Sequence, residues 1–287
     1  MQNLTSEDGL ALHLRGWPHG GATPPRGTLL IVHGLGEHIG RYEDAAQRFN
    51  SWGWNVVGYD QRGHGASGGR RGDVPDAASL LRDLGRVIDA VGADPRLKAG
   101  RLVLVGHSMG GLVAARFVAG GLTASSAGVL PDWFRPVDGL VLSSPALAVA
   151  MNGWQRLLLF VGAKLAPHLA AHNGLNPQWV SRDAEVVRAY RADPLVHNRI
   201  TPTLARMIVE GGQLVRRLAP DWIVPTLLVW AGADRCVVPA GSAEFAAGAP
   251  AALLRHECFE GLAHEIFNEP ERDQVFAEVK DWLDQAF

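Results

Sequence analysis

Residues 101–119 read RLVLVGHSMGGLVAARFVA. This stretch begins with a short apolar run, Leu102–Val105, that is typical of a strand, and it ends in an alanine-rich apolar run that is typical of a buried helix. Gly106, Ser108 and Gly110 stand between the two runs as a G-x-S-x-G pattern. The order predicts a strand–turn–helix elbow that holds Ser108 at the tip of a sharp turn, with its hydroxyl exposed. Both glycines fit this elbow, because a Cβ at either position would collide with the neighbouring strand or helix.

A second G-x-S-x-G match surrounds Ser67, in the stretch Gly65-Ala66-Ser67-Gly68-Gly69. It follows Arg-Gly-His-Gly instead of an apolar run, and it leads into further glycines instead of a helix. Ser67 is therefore predicted to be a loop residue. Ser108 remains the candidate nucleophile.

The composition is that of an ordinary soluble globular protein. The chain has 287 residues, of which 47% are hydrophobic and 20% charged, and this predicts one large domain, with or without an insertion. A formal net charge of −2, with no basic run longer than Arg70-Arg71, gives no electrostatic case for nucleic-acid binding. We expect a small-molecule partner, and the sequence predicts no particular oligomeric state.

The N-terminal residues and the cysteines predict the cellular compartment of the protein. Residues 1–8 are polar, so we expect no signal peptide, and no apolar stretch reaches the ~18 residues of a membrane-spanning helix. Cys236 and Cys258 are the only cysteines and do not have the spacing of metal ligands. We therefore expect reduced thiols in a cytoplasmic protein, with peripheral contact to a membrane as an alternative, and no metal or other cofactor.

Strand patterns alternate with helix patterns along most of the chain. Seven segments have the apolar patterns of strands: residues 10–17, 28–32, 54–59, 102–105, 139–142, 225–230 and 252–256. Helices are predicted at about 40–52 and 75–92, directly after the elbow, and at about 270–285. This alternation predicts an α/β fold with a mostly parallel central sheet and helices on both faces, and residues 10–17 form an antiparallel edge strand.

One segment, residues 145–222, interrupts the alternation. It contains helical patterns and several prolines but no convincing strand, which predicts a helical insertion before the last two strands. The predicted division is a core in two parts, 1–144 and 223–287, with 145–222 inserted between them. Because ligands of α/β sheets bind beyond the carboxyl ends of the strands, we expect this insertion to cover the site as a cap.

A serine hydroxyl needs a base to take its proton, and the base needs an acid to orient it. Behind an elbow of this kind, the acid and the histidine follow the serine in that order, each after a strand. Asp234 follows the strand predicted at 225–230, and His264 follows the last predicted strand. Ser108, Asp234 and His264 are therefore the predicted catalytic triad.

Other acids and histidines are weaker candidates for these roles. Asp60 precedes the serine and opens a glycine-rich loop, so it is expected to build a turn, and Asp221 lies near the end of the insertion. His107 lies inside the elbow and is expected to face away from Ser108, and His256 lies within a strand. For His33 we favour a role in supporting the backbone.

The oxyanion of a tetrahedral intermediate needs two main-chain donors. One is predicted at Met109, directly after the nucleophile, and the other at Leu35, in the loop His33-Gly34-Leu35-Gly36 after the strand at 28–32. The alternative for this loop is a glycine-rich turn without chemical consequence.

With these motifs in hand, the chain resembles the monoacylglycerol lipase / lysophospholipase-like group of α/β-hydrolases. The resemblance rests on stretches spread over nearly the whole length: HGLGEHIGRY at 33–42, DQRGHGAS at 60–67, GHSMGG at 106–111, the segments around Asp234 and His264, and, more weakly, SRD at 181–183 with Tyr190 and DPL at 193–195. It implies an α/β-hydrolase fold and hydrolysis of a single acyl ester under a helical cap.

The resemblance also implies roles on the alcohol side of the ester. Glu37 and Arg41 match residues that help to hold a glycerol head-group, and Tyr190 matches a cap tyrosine that approaches the alcohol. A simple ion pair at the start of a helix is the alternative for Glu37 and Arg41. Phe267 departs from the pattern, because some members have a second histidine at this position.

The sequence therefore predicts a metal-free serine hydrolase that cleaves single-chain lipid esters through an acyl-enzyme. A broad carboxylesterase or lysophospholipase is the alternative, and a ligand-binding homologue without turnover is a more remote one. The apolar cap segment Trp154 to Leu165 is predicted to pack against the core, to line an acyl channel or to contact a membrane surface.

Overall fold

A computed structural model describes residues 4–97 and 100–287, apart from the side chains of 123–127. Residues 1–3 of the polar N-terminal segment lie outside the described residues. The strands are β1 Leu4–Thr5, β2 Ala11–Leu12, β3 Leu14–Trp17, β4 Thr28–Val32, β5 Asn55–Tyr59, β6 Leu102–His107, β7 Gly139–Ser143, β8 Ala171–His172, β9 Arg199–Ile200, β10 Thr226–Ala231 and β11 Leu254–Phe259. The α-helices are α1 Glu43–Ser51, α2 Ser79–Ala93, α3 Met109–Ala127, α4 Gly153–Leu165, α5 Ala184–Ala192, α6 Pro202–Arg217, α7 Pro239–Gly248 and α8 Arg272–Ala286.

Seven strands form the central sheet in the order β11-β10-β7-β6-β4-β5-β3. All neighbours are parallel except β3, which pairs antiparallel with β5 at the edge. Each segment predicted to be a strand contributes to this sheet, except that Ala11–Leu12 of the segment 10–17 pairs with β1 in a separate two-stranded sheet. The predicted antiparallel edge is confirmed by the pairing of β3 with β5. Because parallel strands end at the same edge, the loops after β4, β6, β10 and β11 come together on one side of the molecule.

The sheet is buried on both faces, which explains the uninterrupted apolar runs in its sequence. One face packs mainly against α2, α3, α6 and α7, with Leu30, Leu104 and Leu228 among the strand residues. The other face packs against α1 and α8, with Ile31 and Val105 on the strands. Successive side chains of a strand point to opposite faces, so each strand contributes to both halves of the core.

The predicted strand at 10–17 is divided into β2 and β3 at His13. The amide of His13 donates to the hydroxyl of Ser67 at 2.8 Å, and its carbonyl accepts from the amide of Asp60. The hydroxyl of Ser67 also donates to the carbonyl of Asp60 at 2.5 Å. Ser67 is thus a buried loop residue that joins two segments, as predicted, and its side chain interrupts the edge strand.

The helix predicted at about 75–92 begins at Ser79, and the last strand and the predicted insertion also differ from the prediction. The last strand begins at Leu254 instead of 252, because the amides of Leu253 and Leu254 both donate to the carbonyl of Pro250 in a preceding turn. Residues 145–222, the predicted insertion and hereafter the cap segment, contain the helices α4, α5 and α6 and also the short antiparallel pair β8 and β9. Two-residue strands have no periodicity that a sequence pattern could reveal.

The cap helix α4 leaves a large apolar surface uncovered. None of its residues is buried, and Trp154 and Leu165 are 65% and 81% exposed. Its start is fixed by a capping box, in which Asn152 and Gln155 each bond the other's main-chain amide. No helix within residues 4–97 and 100–287 is long and apolar enough to cross a membrane.

The glycines of the elbow allow α3 to pack closely on the sheet. A Cβ at Gly110 would lie 2.0 Å from the carbonyl oxygen of Val32 on β4, and a Cβ at Gly106 would lie 2.7 Å from the carbonyl oxygen of Gly110. No side chain fits at such distances. The first turn of α3 therefore rests directly on the end of β4, which brings the elbow beside the loop that follows β4.

Candidate active site

Ser108 lies between β6 and α3 with its backbone in the left-handed region, at φ 53°. This conformation is rare for a residue with a side chain and costs of order 1–3 kcal/mol. The amide of Ser108 donates to the carbonyl of Ser143, and its own carbonyl accepts from the amides of Leu112 and Ala146. These bonds hold the strained turn in place, and the partial exposure of Ser108 leaves its side chain accessible.

The predicted acid and base are hydrogen-bonded to each other. His264 Nδ1 lies 2.6 Å from Asp234 Oδ2, and both side chains are buried. The other carboxylate oxygen, Oδ1, accepts from the amides of Cys236 and Val237. These bonds fix the orientation of the carboxylate. With a proton on Nδ1, the free Nε2 is the basic nitrogen of His264.

The environment of His264 favours its protonated form. Burial lowers the pKa, but the charge of Asp234 and the hydrogen bond to it, together with the charges of Glu265 and Glu37, raise it by more. The net pKa of His264 is above its ordinary value of 6.5. A base with a raised pKa accepts a proton more readily, as expected for a histidine that Asp234 orients as the general base.

Leu35, Ser108, Met109 and Asp234 line one cavity of about 600 Å³. Apolar residues from the cap segment form much of the remaining wall: Ala146, Val149, Ala150, Met151, Leu175, Trp179, Ile200, Ala205, Ile208 and Val209. An apolar cavity of this size beside a candidate nucleophile suits a small ligand with an apolar chain.

The two predicted oxyanion donors lie at this cavity. Within the described residues, neither the amide of Leu35 nor that of Met109 donates a hydrogen bond to a protein acceptor. The loop with Leu35 approaches the elbow closely, since a Cβ at Gly34 would lie 3.2 Å from Cβ of Ser108. Both amides are therefore available to a ligand near Ser108.

Glu37 and Arg41 form an ion pair, which is the alternative to head-group binding. Glu265 also takes part, so the ion pair extends to a group of three residues. Arg41 Nη1 donates to Glu37 Oε2 at 2.9 Å and to Glu265 Oε1 at 2.6 Å, and Nη2 donates to Glu265 Oε2 at 2.7 Å. Glu37 Oε1 accepts from the amide of Gly34 at 2.6 Å and from the hydroxyl of Tyr42 at 2.7 Å. Arg41 therefore connects the Leu35 loop to the residue that follows His264.

Tyr190 of the cap segment lies against this group. The guanidinium of Arg41 stands over its ring at 4.7 Å from the centroid, and the Tyr190 side chain is buried. Burial, then the charges of Glu37 and Glu265, raise its pKa above the ordinary range. The structure thus brings Glu37, Arg41 and Tyr190 together, but none of them lines the cavity at Ser108.

The weaker candidates have other contacts. Asp60 accepts from the amides of Ile39 and Ala66 and so builds the turn expected of it. His33 Nε2 accepts from the amide of Gln61, in the expected backbone support. His256 packs its ring against Trp230, and Asp221 is exposed.

His107 is a neighbour of the site that the sequence did not reveal. Its ring lies 4.7 Å from the ring of His264, centroid to centroid, and its Nδ1 lies 3.1 Å from Ser143 Oγ. Burial and then the charge of His264 lower the pKa of His107 to about 4. A neutral His107 therefore packs against the predicted base. The sequence shows that His107 lies in the elbow, but it does not show that its ring packs against His264, which lies far along the chain.

One group of potential metal ligands occurs in the described part of the chain: Asp234, Cys236 and His264, with donor atoms within 4.8 Å of one another. Burial and then the charge of Asp234 raise the pKa of the Cys236 thiol, which disfavours the thiolate that a metal needs. A metal here would compete with the hydrogen bond between Asp234 and His264.

The family described as serine aminopeptidase, S33, matches residues 23–271. The chain belongs to this family. A monoacylglycerol lipase of Mycolicibacterium smegmatis is 36% identical over 91% of this chain and 89% of its own length. A Bacillus subtilis protein named a phospholipase is 29% identical over 92% of this chain and 97% of its own length.

A solved structure shows the same fold. The Paleococcus ferrophilus monoacylglycerol lipase has a TM-score of 0.81 and 30% identity, covering 96% of this chain and 99% of its own. These relatives confirm the predicted α/β-hydrolase fold and the resemblance to the monoacylglycerol lipase group. This S33 family member is a hydrolase, and the relatives named above are two monoacylglycerol lipases and a phospholipase.

The raised pKa of His264 predicts the pH dependence of ester hydrolysis. The base acts only when neutral, so kcat/KM should fall as the pH decreases, with a midpoint above 6.5. Asp234→Asn removes the charge that raises this pKa, so the midpoint should move to lower pH, and kcat should fall by about 10⁴-fold. Asp221→Asn, at an exposed acid, is the control. An acid limb that stays in place in Asp234→Asn would contradict this assignment.

The contacts of Arg41 predict a positioning role. Arg41→Lys loses the paired bonds to Glu265, so the Leu35 loop and the His264 loop should lose their mutual alignment, lowering kcat by about 10- to 100-fold. The loss should be equal for p-nitrophenyl esters and monoacylglycerols, because a positioning residue acts on both. Arg48→Lys, which alters exposed ion pairs of α1, is the matched control. A rise in KM confined to glycerol esters would instead support head-group binding.

Proposed function

We propose that this S33 family member hydrolyses monoacylglycerol-like esters of a single acyl chain, with Ser108 as nucleophile, His264 as base and Asp234 as the acid that orients it. The observation that carries the proposal is the Asp234–His264 hydrogen bond of 2.6 Å, behind an apolar cavity that also contains Ser108. The left-handed backbone at Ser108 and the two free amides at Leu35 and Met109 support it.

The proposed reaction proceeds in two halves. Nε2 of His264 takes the hydroxyl proton of Ser108 as Oγ attacks the ester carbonyl, and the amides of Leu35 and Met109 stabilise the oxyanion. The imidazolium, stabilised by Asp234, gives its proton to the departing alcohol. Water then loses a proton to His264 and attacks the acyl-enzyme, which releases the acid and restores the Ser108 hydroxyl.

The apolar cavity and the relatives named monoacylglycerol lipases support a single-chain lipid ester as substrate. Phe267 packs into the core against Phe49 and Phe276, so this position offers no second polar group to the alcohol side. The relative named a phospholipase keeps the alternative of a broader carboxylesterase or lysophospholipase.

For Glu37, Arg41 and Tyr190 we propose an indirect role on the alcohol side. Their side chains contact one another and Glu265, and Arg41 uses both terminal nitrogens for carboxylates. They would hold the Leu35 and His264 loops in register, instead of bonding the alcohol directly. We also propose the predicted division into a core of 1–144 and 223–287 with a cap of 145–222.

We propose that the outer face of α4 contacts a membrane surface, where a lipid ester resides. The exposed apolar residues of α4 are Trp154, Leu157, Leu158, Phe160, Val161 and Leu165. All of them except Phe160, which lines a cavity on the other side of the helix, form this outer face. Leu158→Ser with Leu165→Ser should lower co-sedimentation with phosphatidylcholine vesicles several-fold, whereas Val129→Ser with Leu130→Ser, at another exposed apolar site, should not. Unpaired Cys236 and Cys258 support the expected cytoplasmic location.

Ser108→Ala should abolish both hydrolysis of monoacylglycerols and labelling by a fluorophosphonate probe, because only an activated serine reacts with the probe. Ser67→Ala, in the second G-x-S-x-G match, is the control and should keep stoichiometric labelling. Turnover of monoacylglycerols, p-nitrophenyl esters and lysophospholipids of equal chain length then distinguishes a monoacylglycerol lipase from a broader carboxylesterase or lysophospholipase. A wild-type chain that neither labels nor turns over would indicate a ligand-binding homologue instead.

A further inference from the structure

A second cavity, also of about 600 Å³, lies between α4 and α6. Its wall is largely apolar and includes Leu147, Leu159, Phe160 and Ala163. Its volume is within the range of about 300–1,000 Å³ typical of small-molecule sites. Nothing in the proposed reaction uses this cavity.

The second cavity borders the cavity at Ser108. Both are lined by the same five residues: Val149, Met151, Ile208, Val209 and Val238. All of these side chains are apolar. A molecule that leaves the cavity at Ser108 across this wall would therefore keep an apolar chain in contact with protein.

Helix α4 presents two different faces. The residues that line the second cavity follow helical spacing: Arg156, Leu159, Phe160, Ala163 and Lys164. The outward face, through which we propose membrane contact, carries Trp154, Leu157, Leu158, Val161 and Leu165, whereas Arg156, Phe160 and Lys164 lie on the cavity side and are also exposed to solvent. Both cations of α4, Arg156 and Lys164, thus lie on the cavity side. Sterics do not require this placement, because long cationic side chains could also extend into solvent from the outer face.

The charges at the second cavity are unbalanced. Its lining contains four cationic side chains, Arg156, Lys164, Arg206 and Arg216, but a single carboxylate, Glu210. Glu210 pairs with Arg206 at 2.7 Å, and Arg216 lies 3.1 Å from a carboxylate outside the lining. In the part of the chain that the structure describes, Arg156 and Lys164 have no carboxylate within ion-pair distance; Lys164 Nζ instead lies 4.1 Å from the ring centroid of Phe160.

An apolar cavity with unneutralised cations at its mouth suits a single-chain amphiphile with an anionic head. We propose that the second cavity binds the carboxylate of a long-chain fatty acid, the acid product of the hydrolysis. The identity of the occupant as a product rests on the proposed function. A fatty acid is ionised at neutral pH, because its carboxyl group has an acidic pKa. Arg156 and Lys164 would hold the carboxylate, and the shared wall would hold the chain.

The test measures binding without turnover. Dodecanoate, below its micellar concentration, is titrated calorimetrically into the Ser108→Ala chain with either of two added pairs of substitutions. Arg156→Gln with Lys164→Gln should weaken binding about tenfold. Arg188→Gln with Lys280→Gln removes the same charge at exposed ion pairs away from the cavity and should not weaken it. Dodecyl maltoside, with a neutral head, should bind both chains equally, and dodecyltrimethylammonium, with a cationic head, should not bind more weakly when Arg156 and Lys164 are replaced.

A second pair of variants tests the position of the site. Ala163→Trp fills the cavity from α4 and should abolish the dodecanoate binding that depends on the two cations, whereas Val161→Trp, on the outer face, should retain it. Equal dodecanoate affinity in both charge variants would overturn the proposal. The proposal would also be overturned if the Arg156→Gln Lys164→Gln chain bound dodecanoate normally but bound vesicles of anionic lipid more weakly than the control chain does. Arg156 and Lys164 would then belong to a membrane contact. Failed ester hydrolysis with intact dodecanoate binding would count against the proposed function alone.

Discussion

The close packing of α3 on the end of β4 is the constraint on which the site depends. With no side chain at Gly110, the first turn of α3 reaches the carbonyl of Val32, and Ser108 is pushed into a left-handed backbone conformation. The same approach places Ser108 beside Gly34, so the loop with the second proposed oxyanion amide lies next to the proposed nucleophile. A single steric requirement thus accounts for the strained backbone of Ser108 and for its proximity to the loop of Leu35.

The remaining alignment comes from charges between distant loops. Arg41, whose side chain is 11% exposed, lies between the buried carboxylates of Glu37 and Glu265, and burial of these charges is tolerated because each is paired and hydrogen-bonded. The surplus negative charge of this group lies near His264 and contributes to raising its pKa. The group therefore joins two loops and also raises the pKa of His264, the proposed base.

The sequence predicted the parts of the molecule that depend on local pattern. The sheet strands, the elbow and the order of Ser108, Asp234 and His264 follow from apolar runs and from what stands directly after them. The sequence did not predict the break at His13, the bond between Arg41 and Glu265, or the ring of His107 against His264. Each of these joins residues far apart in the chain, so its existence depends on the completed fold and leaves no local signature.

Trapping the acyl-enzyme tests directly whether Ser108 is the nucleophile. A monoacylglycerol is mixed with the wild-type chain, quenched with acid during turnover and digested with trypsin, and the acyl adduct is located by mass spectrometry. We expect the adduct on Ser108, in the peptide 102–116. An adduct on the peptide 63–70, which contains Ser67, or on Cys236, or turnover with no adduct in 102–116, would contradict it.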